Sequence, residues 1–143
     1  MAQEISDLMF EWADKAMRRS MRKMFEYNQA HGYSFTVVNS LRVISKEKEV
    51  TNNDLSRRLG VSMPAASQLV DRLVEMGLVE REDNPADRRS KYLTLTAQGR
   101  QTLDDMDKAT HSWIPTLVSM LSEEEIKIIK PSLRLIVSKI NQL

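Results

Sequence analysis

Apolar residues recur along the first part of the chain at Ile5, Leu8, Met9, Trp12, Ala13, Ala16, Met17, Met24 and Phe25. Steps of three, one and four residues gather them on one side of a helix, so the spacing predicts a long helix from Ile5 to about Gln29. Its methionines suit an adaptable ligand surface or, more plainly, core and dimer contact. Gly32 breaks this helix, and Ser34 can cap a second whose inner face carries Val37, Val38, Leu41 and Ile44. The run Lys46-Glu47-Lys48-Glu49 reads as a solvated connector. Thr51 follows as an N-cap, with Asp54 three residues on as a variant of the capping box. Leu55 and Leu59 face inward on this short helix, and Gly60 ends it where a left-handed turn is needed. Ser62 caps the next helix, which runs to Gly77.

After Gly77 the period changes. Leu78-Val79-Glu80-Arg81 and Lys91-Tyr92-Leu93-Thr94-Leu95 read as strands, and the polar segment from Glu82 to Ser90, with Asn84-Pro85 inside it, reads as a loop. Together they predict a β-hairpin, a wing. Thr96 caps a long helix through Leu103, Met106, Ala109, Trp113, Ile114, Leu117 and Leu121. Ser122 and Glu125 form a capping box for the last helix, whose stripe is Ile126, Ile129, Leu133, Ile136, Ile140 and Leu143. Pro115 and Pro131 fall inside these helical patterns, and a kink or break is expected at each. The terminal helices carry more apolar surface than the central module needs. The economical solution packs the first, fifth and sixth helices together and against a second copy of the chain. The predicted fold is mainly α with a small β-wing, in a single domain. A winged helix-turn-helix lobe over 34–96 is flanked by dimerisation helices at 1–31 and 97–143.

The run Leu55-Ser56-Arg57-Arg58-Leu59-Gly60-Val61-Ser62 has the form of a helix-turn-helix, whose second helix enters the major groove of duplex DNA. On that helix Ala66, Leu69, Val70 and Leu73 make the inner face. Met63, Pro64, Ala65, Ser67, Gln68, Asp71 and Arg72 are left outward. Ser62 and Ser67 can bond phosphate or base, beside backbone N–H groups that favour phosphate. Gln68 can contact adenine through two hydrogen bonds. Arg72 suits phosphate, or a surface pair with Asp71 or Glu75. In the wing, Arg88 and Arg89 follow Asp87; an arginine at a hairpin tip can enter the narrow minor groove, and a neighbouring carboxylate can hold its guanidinium. A helical hairpin that touches no DNA is the blander reading, and the wing beside it favours DNA.

The net charge of +1 hides a bias between Thr51 and Arg100, where the basic residues are Arg57, Arg58, Arg72, Arg81, Arg88, Arg89, Lys91 and Arg100. Arginine is the better fork for phosphate and base edges. The absence of cysteine excludes disulfides, thiolate zinc sites and a cysteine peroxide sensor. His31 and His111 lack metal-ligand spacing, and no cofactor is expected. No Gly-rich phosphate loop or catalytic spacing appears, so no enzyme is expected. No apolar run approaches the roughly 20 residues of a membrane span, and the first residues lack a secretion signal. A cytoplasmic protein away from membranes is the expectation. Trp12, Tyr27, His31 and Tyr33 could line an effector pocket near the junction of the first two helices and the lobe, or serve as interface aromatics.

The runs Asn53-Asp54-Leu55-Ser56, Leu59-Gly60-Val61-Ser62, Leu69-Val70-Asp71-Arg72-Leu73, Gly77-Leu78-Val79, Pro85-Ala86-Asp87-Arg88-Arg89 and Leu95-Thr96-Ala97-Gln98-Gly99 resemble the MarR family of regulators. The wing is the most specific part, Asp-x-Arg followed by Leu-Thr-x-x-Gly. The resemblance implies a triangular homodimer with both chain ends in the interface. It also implies a pseudo-palindromic double-stranded DNA operator, usually repressed, and in many members release of DNA by a small aromatic or phenolic effector. By that pattern Arg89 is the minor-groove arginine and Asp87 its orienting partner. Three features depart from it. Positions often threonine and arginine are Ala65 and Gln68, which removes the operator sequence from analogy. Without cysteine, the oxidation-sensing branch is no model. Pro131 is unexpected in the last helix and could reshape the dimer contact. The competing class is a winged-helix protein-interaction module without DNA binding, against which the basic residues on both reading elements argue.

Overall fold

The structure is a computed structural model that describes residues 1–87 and 89–142. Among them the order is α1 (Ala2–His31), α2 (Phe35–Lys46), α3 (Asn52–Leu59), α4 (Met63–Glu75), β1 (Val79–Asp83), β2 (Lys91–Leu95), α5 (Ala97–Thr110), α6 (Trp113–Ser119) and α7 (Glu123–Ile140). The chain divides into two compact units, Met1–Thr110 and His111–Leu143.

In the first unit, the expected caps set the helix starts. Ser34 Oγ accepts the Val37 N–H, and the reciprocal Thr51–Asp54 box opens α3. Gly60 takes the left-handed conformation at φ 65°, which a side chain would disfavour. Ser56 closes the turn that follows, because its hydroxyl donates to the Val61 carbonyl at 2.7 Å while the Val61 N–H donates to the Ser56 carbonyl. The inner faces then converge. Val37, Val38, Leu41 and Ile44 of α2, Leu55 of α3, Val70 and Leu73 of α4, Leu93 and Leu95 of β2, and Leu103 and Met106 of α5 form one buried cluster. Each large side chain so buried contributes about 1.5–3 kcal/mol. Packing of α2, α3, α4 and the sheet around this cluster fixes the angle of α4.

The hairpin pairs antiparallel from Val79↔Leu95 to Asp83↔Lys91. Strand β1 therefore starts one residue later than the pattern suggested and extends two residues past Arg81. Val50 adds a single bridge to Leu93, which donates its N–H to the Val50 carbonyl at 2.7 Å. The connector before it holds Glu49 at φ 62°, the one non-glycine among the described residues with a positive φ.

The single helix expected from Thr96 to Leu121 is two helices, with α5 ending at Thr110 and α6 starting at Trp113. Pro115 accounts for the break. It has no N–H for the carbonyl four residues back and crowds that carbonyl, but is tolerated in the first turn of a new helix. Pro131 does not break α7, which runs without interruption from Glu123 to Ile140. Lys127, whose carbonyl loses its partner, is exposed, so water can satisfy it. The Ser122–Glu125 capping box is present at the start of α7. Leu143, expected at the end of its stripe, lies outside the described residues.

Helix α1 packs on α5, yet within the chain it does not bury its stripe. Ile5, Leu8, Met9, Trp12, Met17 and Phe25 are all exposed, and Asn28 is the residue that α1 buries. In the second unit Ile128, Leu135, Val137 and Ile140 are likewise exposed.

Candidate nucleic-acid interface

The start of α4 is presented as a polar, exposed face. Ser62 caps the helix, its Oγ accepting the Ala65 N–H at 3.4 Å. Met63, Pro64, Ala65, Gln68, Asp71 and Arg72 are exposed, whereas Ala66, Val70 and Leu73 are buried and Leu69 is half-buried. Ser67 is less outward than its spacing suggested. It is half-buried, and its Oγ accepts from Asn52 Nδ2 at 3.3 Å, which leaves the hydroxyl proton to be donated. Asp71 pairs with Arg81 of β1 rather than with Arg72, and Arg72 has no ion pair among the described residues.

The wing turn is organised by a residue that the sequence pattern marked only as a loop signal. Asn84 is 8% exposed. Its Oδ1 accepts the N–H groups of Ala86 at 2.9 Å and Asp87 at 3.2 Å, and its Nδ2 donates to Ser90 Oγ at 2.7 Å. The Ser90 N–H and hydroxyl both donate to the Asp87 carbonyl. Asp87 meets Arg89 through the backbone. Its Oδ1 accepts the Arg89 N–H at 2.9 Å, where a carboxylate–guanidinium pair was expected. A two-residue separation in a tight turn brings the amide, not the long side chain, to the carboxylate. Arg89 is exposed with no ion pair among the described residues, and its guanidinium is available to a ligand. The expectation for Arg88 lies outside the described residues.

Several basic residues of this region are engaged within the chain rather than free. Arg57 pairs with Asp54, Arg58 with Glu47, Arg81 with Asp71 and Lys91 with Asp83, while Arg100 Nη1 donates to the Leu95 carbonyl at 2.6 Å. Of the described cations that could meet DNA, Arg72 on α4 and Arg89 on the wing are left. Asp54 is held below the ordinary carboxylate range chiefly by hydrogen bonds from the Thr51 hydroxyl and N–H, with Arg57 adding to the effect.

A latch fixes the wing root to α5. The Thr96 N–H donates to the Leu78 carbonyl at 3.1 Å, and the Thr96 hydroxyl donates to the Gly77 carbonyl at 2.6 Å. Thr96 Oγ1 in turn accepts the Gly99 N–H at 3.0 Å and caps α5. The approach is so close that a Cβ on Gly99 would stand 2.0 Å from the Leu78 carbonyl oxygen.

Three of the four proposed effector residues are together. The rings of Tyr27 and His31 stack at 4.0 Å, and Tyr33 lies 5.9 Å from His31 and 6.5 Å from Tyr27. Nδ1 of His31 lies 2.8 Å from the Tyr27 carbonyl, so the proton sits on Nδ1 to make this bond. Burial, followed by Tyr33 and Asp105, pushes the Tyr27 hydroxyl up. Next to them in sequence, Asn28 Oδ1 is buried without a hydrogen-bond partner among the described residues. Trp12 does not belong with this group. It precedes Tyr27 by fifteen residues on the same helix, a separation of about 22 Å along the axis. No described helix is long and apolar enough to cross a membrane.

A sequence model of the MarR family matches residues 31–90, from the end of α1 through the wing turn. Over 99 residues the chain is 28% identical to the HTH-type transcriptional regulator BilQ of Clostridium symbiosum, covering 69% of each protein. Over these residues the chain is similar to the MarR family of regulators. Solved structures share the fold of this chain. The transcriptional regulator Tm0710 from Thermotoga maritima superposes with a TM-score of 0.80 at 22% identity, over 98% of this chain and 96% of that one. A point mutant of MepR from S. aureus, bound to an oligodeoxyribonucleotide, gives 0.70 at 23% identity over 94% and 97%.

Proposed function

We propose that this protein is a MarR-type transcriptional regulator that binds duplex DNA as a homodimer, with α4 in the major groove and the wing in the adjacent minor groove. The observation that carries this reading is the placement of Arg72 and Arg89, which have no ion pair among the described residues. Where Arg57, Arg58, Arg81 and Lys91 are held in ion pairs, Arg72 and Arg89 are exposed on the two elements that a winged helix sets against DNA. In the complex Ser62, Ser67 and the start of α4 hold phosphate, and Gln68 reads a base edge beside Met63, Pro64 and Ala65. Arg72 neutralises a phosphate, while Asp87 and Asn84 keep the Arg89 backbone at the tip of the wing. No binding partner other than DNA and a second copy is needed for this.

The second copy covers the helices at the chain ends. Exposed Ile5, Phe10 and Phe25 on α1 and Ile128 and Leu135 on α7 exceed the scattered apolar residues that a soluble monomer leaves in water. Two lobes then face half-sites about 34–36 Å apart on one side of the duplex, and occupation of such a site excludes polymerase, so the protein acts as a repressor. The Tyr27, His31 and Tyr33 rings, with the unpartnered Asn28 acceptor beside them, suit a small aromatic molecule that carries a hydroxyl or N–H donor.

Fluorescence anisotropy with duplexes from the region upstream of the protein's own gene tests the reading. Complex formation is expected, and Arg89→Ala should weaken it and lower the salt slope by about one ion. Absence of any complex at low salt would return the chain to the protein-interaction class. Thermal-shift measurements with aromatic carboxylates and phenols test the effector. Stabilisation together with loss of DNA binding is expected, and the absence of both would remove the effector from the reading.

A further inference from the structure

The ion pair between Asp71 and Arg81 joins the two elements assigned to DNA, since Asp71 is on α4 and Arg81 on β1 of the wing. Asp71 stands four residues after Ser67 and three after Gln68, which places its carboxylate on the same outward face, about 6 Å further along the helix. That is an unfavourable location for a negative charge in a protein that approaches phosphates. The pair is also solvent-accessible, with the side chains of Arg81 and Asp71 36% and 59% exposed, and a pair so exposed adds little to stability. Neither core packing nor fold stability therefore accounts for a carboxylate there.

We infer that Asp71 is a specificity-determining residue: by holding Arg81 it withholds one cation from the phosphate backbone and ties the wing to α4, so that tight binding requires the base contacts of the reading face. The inference rests on the DNA-binding reading above. Non-specific affinity comes almost entirely from cations that replace counterions on the phosphates. An Arg81 engaged by Asp71 contributes nothing to it, and the carboxylate itself repels any duplex. On the preferred sequence this loss is recovered, because Gln68 and Ser67 meet their partners only when α4 and the wing keep their relative angle. Asp71 thus lowers the affinity for all DNA and lowers it least where the sequence fits.

The test compares the parent, Asp71→Asn and Arg81→Gln on two 30-base-pair probes. One duplex is obtained by iterative selection with the parent protein, and the other has the same bases shuffled. Melting curves by circular dichroism establish that each variant is folded. Asp71→Asn should bind the shuffled duplex about three- to ten-fold more tightly with a salt slope steeper by about one ion, gain less on the selected duplex, and so lose selectivity. Arg81→Gln, which leaves Asp71 unpaired, should bind both probes more weakly. If Asp71→Asn shifts both affinities by the same factor, or weakens the shuffled complex, the pair is merely structural or a bulk charge and the inference fails. A parent that binds neither probe overturns the DNA-binding reading itself, an outcome separate from a change in the ratio.

Discussion

Gly99→Ala probes the packing on which the wing depends. The added methyl would stand 2.0 Å from the Leu78 carbonyl oxygen and 3.0 Å from its carbon. Even a C–H···O contact sits at about 3.3–3.6 Å, so α5 and the wing root must part by about 1.3 Å. Overpacking of this kind costs about 1–3 kcal/mol. The movement also stretches the Thr96 bonds to the Leu78 and Gly77 carbonyls, each worth about 1 kcal/mol net. The better helix propensity of alanine offsets about 1 kcal/mol. The sum is a loss of about 2–4 kcal/mol, or a melting temperature lower by about 10 °C for a chain of this size. Gly60→Ala is the internal control. Nothing lies within 4 Å of its added Cβ, and the left-handed backbone alone costs about 1–2 kcal/mol. Thermal and urea unfolding at equal protein concentration decides the matter. A Gly99→Ala protein within about 1 kcal/mol of the parent, or no less stable than Gly60→Ala, refutes the latch.

Other expectations follow from the same geometry. Asn84→Ala removes three hydrogen bonds within the wing turn and should weaken DNA binding as much as Arg89→Ala in an anisotropy titration, with the lobe still folded by circular dichroism; parent-like binding would contradict the role given to Asn84. Because the folded state depresses the Asp54 carboxyl, its contribution is present above the ordinary value of about 3.9 and is lost as pH falls below it. Urea titrations at pH 6, 4 and 3 should therefore show a decline that is smaller in Asp54→Asn, and Thr51→Ala should cost about 1 kcal/mol at pH 6. Glu49→Gly relieves a left-handed non-glycine backbone and should stabilise the protein by about 0.5–1 kcal/mol; a lower urea midpoint would count against strain at that position.

The features legible in the sequence are those that local chemistry decides. The reciprocal box at Thr51 and Asp54, the caps at Ser34, Ser62 and Ser122, and the turn at Gly60 all follow from groups within four residues of one another. The inner faces of α2 and α4 follow from helical period. Partners distant along the chain leave no such trace. The Asp71–Arg81 pair, the Asn52–Ser67 bond and the closeness of Gly99 to Leu78 depend on how elements pack. This is also why the cations of the lobe, legible as a basic bias, could not be divided into those holding the surface and those free to meet DNA. Asn84 was hidden because a turn residue is ordinarily exposed, whereas here its side chain is the interior of the turn. Trp12 was grouped with the aromatic rings by residue type, and helical rise separates it from them.

The central claim is that α4 and the wing read DNA from two lobes of a dimer. Hydroxyl-radical footprinting of the parent and Arg89→Ala on the selected duplex tests it most directly. The expected result is two protected half-sites about 10–10.5 base pairs apart, centre to centre, flanked by minor-groove protection that disappears in Arg89→Ala. Protection of a single half-site, or flanking protection that survives the loss of Arg89, would contradict the account.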